Sequence, residues 1–319
     1  MQNVATTLIR GLDEDNKRII EQLSDPSFLS VFSGALGLDW KTSGHTSVAL
    51  SAVKTAFHDL KNGLKVVNKI PDLQKSKNSG ISNEQLEILR NCFKTTQRVD
   101  TCAIQEGHGQ LAAHFIIYDN ENWTVINQKL YNQDARRYHW AMNTRDFVEA
   151  PHEGIMGRER SIVMDLTSND AENARKTITD LAQEQVITLN NQLAILKAGQ
   201  RSLSNLRAQF PPMQLPKLFF PNYLAKARET KPNDFEELLN LPGMGPGMIR
   251  GLAALSTIFY SAPPSFEDPR THDWDVTEIN SGCKEARKYN SLFLDILKDS
   301  SLSKKQKFEV NERLNQMVD

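Results

Sequence analysis

The chain has 319 residues, of which 39% are hydrophobic and 24% are charged. This composition is that of a globular protein and excludes a largely disordered, collagen-like or disulfide-framework chain. Lys and Arg number 38 against 39 Asp and Glu, a net charge of −1, so the overall charge does not indicate a nucleic-acid partner and any basic surface must be local.

Helical spacing of apolar residues predicts several amphipathic helices in the first hundred residues. Asp25-Pro26 is expected to end one helix and begin another. The segment 39–45 is either a capped turn between helices or a polar pocket. The predicted helices include residues 3–24, 46–60 and 83–93.

The pattern changes after Val99, where short runs rich in β-forming residues begin. Residues 112–118 and 123–130 are separated by Asp119-Asn120-Glu121-Asn122, which predicts a β-hairpin. Further strands are expected at 101–105 and 161–165. Together these segments predict a small antiparallel sheet.

The remainder of the chain is predicted to be helical, with helices at 170–198 and 285–316 around a proline-rich joint at 211–221. The expected fold class is therefore α+β and predominantly helical, with a small antiparallel sheet in the N-terminal domain. We predict a mixed domain at 1–205 and an all-helical domain at 206–319.

The most informative motif is a predicted helix-hairpin-helix at 235–259, which contains Leu-Pro-Gly-Met-Gly-Pro-Gly. Gly243 and Gly245 permit a tight turn, and the next helix presents unpaired N–H groups and a positive dipole end to a phosphate. Such hairpins commonly carry Lys or Arg where this chain has Gly247, and Arg250 lies one turn further on. The motif predicts sequence-independent DNA binding. The alternative is a hairpin that only packs helices or binds protein.

A second DNA-binding surface is predicted at residues 136–140, where arginine is interleaved with aromatic residues. This combination suits phosphate pairing and base stacking. The alternative is a buried structural network or a solvated loop. The expected DNA-binding residues here are Arg136, Arg137, Tyr138 and Trp140.

The same region contains candidate catalytic residues. Asp100 and Glu106 flank a predicted strand, and Asn127-x-Lys129 ends another, a loose version of a metal-dependent nuclease pattern. Asp100 and Glu106 are the expected ligands of Mg²⁺ or Mn²⁺. The expected base or phosphate ligand is one of His114, His139 and His152.

Three parts of the chain resemble an uncharacterised family called domain of unknown function 763. They are residues 24–57, 99–152 with Gln105-Glu106-Gly107 and Arg-Arg-Tyr-His-Trp, and 234–269. The resemblance implies a stand-alone protein with a helix-hairpin-helix near its C-terminus. Residues 270–284 lack the Gly/His/Lys-rich segment of the family, and the family's N-terminal basic stretch is reduced, which puts a family activity in question.

A partial resemblance to DNA glycosylases of the helix-hairpin-helix superfamily places Asp268 after Pro263-Pro264, as their catalytic Asp follows the hairpin. The leading hypothesis remains a protein of DNA repair or processing, a metal-dependent endonuclease acting on duplex or branched DNA. The alternatives are a non-catalytic binder of DNA structures and, third, a protein-interaction module or a glycosylase-like enzyme.

The three cysteines form no CxxC pair, which argues against a cysteine-based zinc site and favours reduced thiols. We recognise neither a signal peptide nor an apolar run of about 20 residues that could span a bilayer. The expected location is therefore the cytoplasm, without membrane contact.

Overall fold

A computed structural model describes residues 1–12, 15–38, 45–75, 81–107, 109–131, 134–142, 144–202, 213–273 and 284–317. Residues 39–44, 211–212 and 274–283 lie outside this description. These residues include most of the predicted interhelical pocket at 39–45 and the first two prolines of the joint at 211–221. They also include most of the segment 270–284, which departs from the family.

The described chain is mainly helical, with one principal sheet, and the predicted α+β class is confirmed. The helices are α1 (Gln2–Arg10), α2 (Asn16–Ser24), α3 (Pro26–Ala35), α4 (His45–Leu60), α5 (Ile70–Lys75), α6 (Asn83–Arg98), α7 (Glu172–Leu181), α8 (Val186–Ser202), α9 (Pro221–Thr230), α10 (Phe235–Asn240), α11 (Pro246–Tyr260), α12 (Lys284–Asp299) and α13 (Lys304–Gln316). A π-helical turn (Val99–Ala103) follows α6, and a 3₁₀ turn (Asn169–Ala171) precedes α7.

The strands are β1 (Lys65–Val67), β2 (Ile104–Gln105), β3 (Gln110–Tyr118), β4 (Trp123–Tyr131), β5 (Asp134–Trp140), β6 (Gly154–Met156) and β7 (Met164–Asp165). Five of them form an antiparallel sheet in the order β1-β3-β4-β5-β6, and β2 pairs with β7. In the central strands His114 lies opposite Asn127, which lies opposite Tyr138. This register places the three side chains in one row on one face.

Both faces of the sheet are covered by helices. Ile116 belongs to an apolar cluster with residues of α6 to α11, whereas Ile117 belongs to a second cluster with α1 to α4, α12 and α13. Successive strand residues point to opposite faces, so neighbouring side chains enter different cores. The sheet is therefore the middle layer between two helical layers.

The two cores do not divide the chain at position 205. The first cluster contains Leu252 of α11, and the second contains Phe293 of α12, which packs against Phe28 of α3 with ring centroids 5.4 Å apart. The predicted boundary between 1–205 and 206–319 thus does not coincide with a boundary between cores. None of the described helices has the length and apolar character needed to cross a lipid bilayer.

The β-hairpin predicted from 112–118 and 123–130 is present as β3 and β4. The segment 101–105 was expected to be a strand, but its first three residues belong to the π-helical turn and only Ile104–Gln105 pair as β2. The predicted helix 170–198 is broken between α7 and α8. Strand β5 was not predicted, and it contains the Arg-Arg-Tyr-His-Trp sequence.

Candidate functional site

Polar side chains of β3, β4 and β5 form a row on the sheet face that α6 covers. Their positions follow from the strand register, because residues that alternate along a strand share a face. Acidic residues from the π-helical turn and from the end of β2 lie among them. We call the set the polar network; its members are Asp100, Glu106, His114, Asn127, Lys129, Tyr131, Arg136, Tyr138, Trp140, His152 and Asp268.

Asp100 lies in the π-helical turn and is fully buried. Its Oδ2 accepts hydrogen bonds from Asn127 Nδ2 at 2.6 Å and Trp140 Nε1 at 3.0 Å. Its Oδ1 lies 2.6 Å from His152 Nε2. Since π-turns within helices are frequent at functional sites, this Asp–His pair is the most enzyme-like feature of the network.

His114 is linked to Asp100 through Asn127. The His114 ring stacks on Phe93 with centroids 3.6 Å apart, its Nε2 lies 2.8 Å from the Phe93 carbonyl oxygen, and its Nδ1 contacts Asn127 Oδ1. Burial lowers the pKa of His114, although the hydrogen bonds with Asn127 and Phe93 oppose this effect.

Glu106 is surrounded by donors. Its Oε1 accepts from Arg136 Nη1 at 2.6 Å, and its Oε2 accepts from the hydroxyls of Tyr138 at 2.7 Å and of Tyr131. The ammonium of Lys129 lies 3.9 Å away. Burial alone would raise the pKa of Glu106, but attraction by Lys129 and Arg136 and the tyrosine hydrogen bonds lower it overall. Glu106 is thus a buried carboxylate with its charge balanced.

Arg136 extends the network to the segment that follows α11. Its second terminal nitrogen pairs with Asp268, whose other oxygen accepts from the Arg160 backbone N–H at 2.7 Å. Asp268 is therefore a partner of Arg136, and this role differs from the catalytic role that the glycosylase resemblance suggests.

His139 and Arg137 lie on the opposite face of the sheet. Arg137 Nη2 donates to Ser30 Oγ at 3.0 Å, and His139 Nδ1 lies 3.1 Å from the Ser24 carbonyl oxygen. Burial, with repulsion by Arg137 and His272, lowers the pKa of His139 well below its usual value. The structure thus brings together Asp100, Glu106, His114 and His152 but not His139.

The predicted DNA-binding surface at 136–140 requires correction. Arg136, Tyr138 and Trp140 are 0% exposed and Arg137 is 1% exposed, so none of them presents a surface to a DNA backbone. Both faces of β5 are covered, and the polar side chains are partnered inside the protein. The alternative of a buried structural network describes these residues.

Glu106, one of the two predicted metal ligands, has both carboxylate oxygens engaged within the protein. Both Glu106 oxygens accept from Arg136 and the tyrosines, beside the Lys129 ammonium, and cationic neighbours oppose binding of another cation. Among the described residues no group of three or more His, Cys, Asp or Glu is arranged to hold a metal ion.

Sequence reasoning missed one member of the network, Tyr131, and one pairing within it, that of Arg136 with Asp268. Tyr131 is the last residue of β4, in which the sequence pattern indicated only Asn127 and Lys129. The pairing of Arg136 with Asp268 joins residues 132 positions apart, and no sequence spacing could have indicated it.

The segment predicted as a helix-hairpin-helix consists of α10, a turn at 241–245 and α11. We call it the helical hairpin. Gly243 adopts a φ of +87°, and a Cβ there would overlap the Tyr223 ring. Gly245 precedes α11 as its N-cap without a side-chain cap, and no described atom lies within 4 Å of a Cβ placed on Gly245 or Gly247. One side of the first turn of α11, at Gly245 and Gly247, therefore faces open space, whereas Met248 and Ile249 of the same turn are buried.

The helical hairpin is attached to the polar network through neighbouring residues. Gln105, adjacent to Glu106, donates to the Pro246 carbonyl oxygen at 2.9 Å, and Arg98 donates to that of Leu241 at 3.3 Å. Arg250 donates to the Gln105 side chain and to the Gln214 carbonyl oxygen. The guanidinium of Arg250 is thus partly engaged within the protein.

Comparison with known proteins gives one match. A family model described as "Protein of unknown function (DUF763)" matches residues 1–285, which leaves α13 and nearly all of α12 outside the match. No curated protein and no solved structure matches the chain.

Proposed function

The chain belongs to the DUF763 family of proteins of unknown function, and we propose that it is a cytoplasmic DNA-binding protein. The helical hairpin contacts the sugar–phosphate backbone of duplex or branched DNA and does not read the base sequence. Its biological setting is DNA repair or processing.

One observation carries this proposal: the first turn of α11 is open on the side of Gly245 and Gly247. Pro246 occupies the first helical position, and Gly245 and Gly247 on either side have free space where a side chain would stand. The unpaired N–H groups of a helix N-terminus and its positive dipole end favour a phosphate. Glycines at these two positions allow the phosphate to approach the backbone closely.

The polar network supports this function by fixing the turn. Gln105 and Arg98 hold carbonyl oxygens on both sides of the hairpin turn, and Glu106 anchors the neighbouring chain to β4 and β5. A binding element held by a rigid scaffold loses little conformational entropy on association. In this proposal the buried charged residues of the polar network position the turn of the helical hairpin.

The test uses Gly247→Glu, measured by fluorescence anisotropy with labelled duplexes of unrelated sequence. Replacing glycine and placing an acidic residue in the first helical turn both favour α11, so lost binding cannot be ascribed to an unfolded helix. We expect affinity to fall at least tenfold, equally for all sequences. Gly245→Ala is expected to weaken binding less, because it adds bulk without charge.

Unchanged affinity in Gly247→Glu would contradict the proposal. Failure of the wild-type protein to bind any DNA at low salt would also contradict it and would favour a protein-binding role for the helical hairpin.

A second candidate is the predicted DNA endonuclease, and the Asp100–His152 pair favours it. A buried carboxylate that holds one imidazole nitrogen orients the ring and supports its action as a base. Burial of the network argues for the non-catalytic function, which we rank first.

Cleavage of labelled single-stranded, duplex and branched DNA in Mg²⁺, Mn²⁺ or chelator tests this candidate. Metal-dependent cleavage that disappears in His152→Gln, with DNA affinity and melting temperature retained, would establish it. Intact DNA under all conditions would exclude it for these substrates.

A further inference from the structure

Exposed aromatic side chains lie beside the turn of the helical hairpin. Phe220 is 55% exposed and Tyr223 is 41% exposed, and their rings meet edge to face with centroids 5.7 Å apart. Tyr223 also packs on Gly243, where it fills the space that a Cβ would need. Because aromatic rings this exposed gain little by facing water, a planar binding partner would cover them favourably.

The charges around this aromatic pair suit a polyanion. Residues 213–228 contain Lys217, Lys226 and Arg228 and no Asp or Glu. Lys217 is exposed, while Lys226 pairs with Glu229 just beyond this stretch at 3.1 Å. The same stretch is joined to α11 by the hydrogen bond from Arg250 Nε to the Gln214 carbonyl oxygen at 2.6 Å. Basic residues thus flank the exposed aromatic pair, next to the open side of the first turn of α11.

We propose that Phe220 stacks on an unpaired base of a DNA strand whose backbone is held at the helical hairpin, with the Tyr223 ring supporting Phe220 edge to face. This inference rests on the proposed function and specifies its substrate class, which is duplex DNA with a single-stranded end or branch. Every base has a flat aromatic face, so stacking is tolerant of sequence. The aromatic and basic surface expected at 136–140 is buried, and residues 217–228 provide such a surface in its place.

The experiment compares binding of a blunt duplex with binding of the same duplex carrying a short thymine overhang. Stacking of one base contributes about 1–3 kcal/mol, equivalent to roughly 5- to 150-fold in affinity. We expect the wild-type protein to bind the overhang duplex about tenfold more tightly. Phe220→Ala should remove this preference while leaving the affinity for the blunt duplex unchanged, and Phe220→Trp should retain it.

Phe308→Ala is the matched control, because Phe308 is 62% exposed on α13, which contributes to the second core. It should keep the preference for the overhang. Tyr223→Ala is avoided because loss of the ring would also free Gly243. As a direct readout, a 2-aminopurine base in the overhang should be quenched by the wild-type protein and not by Phe220→Ala.

The outcomes separate this inference from its premise. Equal affinity of the wild-type protein for blunt and overhang duplexes would overturn the stacking inference and leave the proposed function standing. A preference that survives in Phe220→Ala would also overturn it. An affinity at least tenfold lower in Gly247→Glu, together with a preference for the overhang that Phe220→Ala loses and Phe308→Ala keeps, is the result that supports both proposals.

Discussion

At the scale of single residues, the charges of the polar network are balanced in pairs. Glu106 faces Arg136 and Lys129, and Arg136 also faces Asp268. Burying a charge is costly unless a partner and hydrogen bonds accompany it. These residues therefore depend on one another, and removal of one leaves another uncompensated.

Glu106→Gln should lower the free energy of unfolding by about 3–5 kcal/mol, because Arg136 and Lys129 lose a buried counter-charge. Urea denaturation measures this change. Glu309→Gln serves as control, since Glu309 lies 3.9 Å from Arg313 and 4.0 Å from Lys305 on the exposed face of α13. Its expected cost is below about 1 kcal/mol. Equal costs for the two variants would contradict the structural role of Glu106.

His114 and His139 are buried with lowered pKa values. A histidine whose pKa is lower in the folded than in the unfolded protein favours unfolding when protons bind. Stability should therefore be fully present above the unfolded pKa of about 6.5 and decline as the pH falls below it.

Each such histidine changes the unfolding free energy by up to about 1.4 kcal/mol per pH unit. His139→Gln should therefore make the unfolding free energy, measured by urea denaturation, depend less on pH below about pH 7. An unaltered slope in His139→Gln would show that His139 binds protons equally in the folded and unfolded protein and would contradict its lowered pKa.

At the scale of elements, the helical hairpin has two glycines with different functions. Gly243 makes the turn, as its positive φ and its contact with the Tyr223 ring require. Gly245 has a φ of −80° and open space around it. The backbone conformation at Gly245 therefore does not require glycine. The absence of a side chain there leaves the N-terminus of α11 accessible.

Gly243→Ala should be destabilising by more than about 1 kcal/mol, because a left-handed backbone costs an L-residue about that much and the Tyr223 ring must also move. Gly245→Ala should cost less, about 0.5–1 kcal/mol, because Ala is a poorer N-cap residue than Gly but its methyl group has free space. Melting temperatures of the two variants measure the difference. A larger loss in Gly245→Ala would contradict this division of roles.

Sequence patterns predicted elements with a clear turn signal and missed those defined by burial. The turn at 119–122 between apolar runs correctly indicated the β3–β4 hairpin. Strand β5 was missed because Asp-Ala-Arg-Arg-Tyr-His-Trp has polar residues on both faces. Such a strand is recognisable only when its partners are known, and Ser30 and Asp268 lie far away in sequence. The positions of Asp100 and Glu106 on either side of a predicted strand indicated that they lie close together. The sequence did not indicate which buried residues they contact.

At the scale of the whole molecule, the central sheet joins two cores. The buried residues of the first lie between Leu73 and Leu255, whereas the second joins both ends of the chain, from Val4 to Met317. α9 to α11 cover one face of the sheet, whereas α12 and α13 return to pack with α1 to α4 on the other. The helical hairpin therefore packs on the same face of the sheet that carries the polar network. The chain should unfold as a single unit.

A fragment of residues 1–205 should therefore fail to fold cooperatively, because it lacks helices that cover both faces of the sheet. Circular dichroism and urea denaturation of the fragment test this expectation. A sharp unfolding transition in the fragment would support the predicted domain at 1–205.

The most direct test of the central claim is the salt dependence of DNA affinity in Gly247→Glu, the wild-type protein and Gly247→Lys. Each phosphate contact made by a cation adds about 0.9 to the slope of log affinity against log salt concentration. The account predicts that affinity rises from Glu through Gly to Lys and that Gly247→Lys has the steepest slope, larger by about 1 than that of the wild-type protein. Identical affinities and slopes in the three proteins would show that the first turn of α11 does not contact DNA.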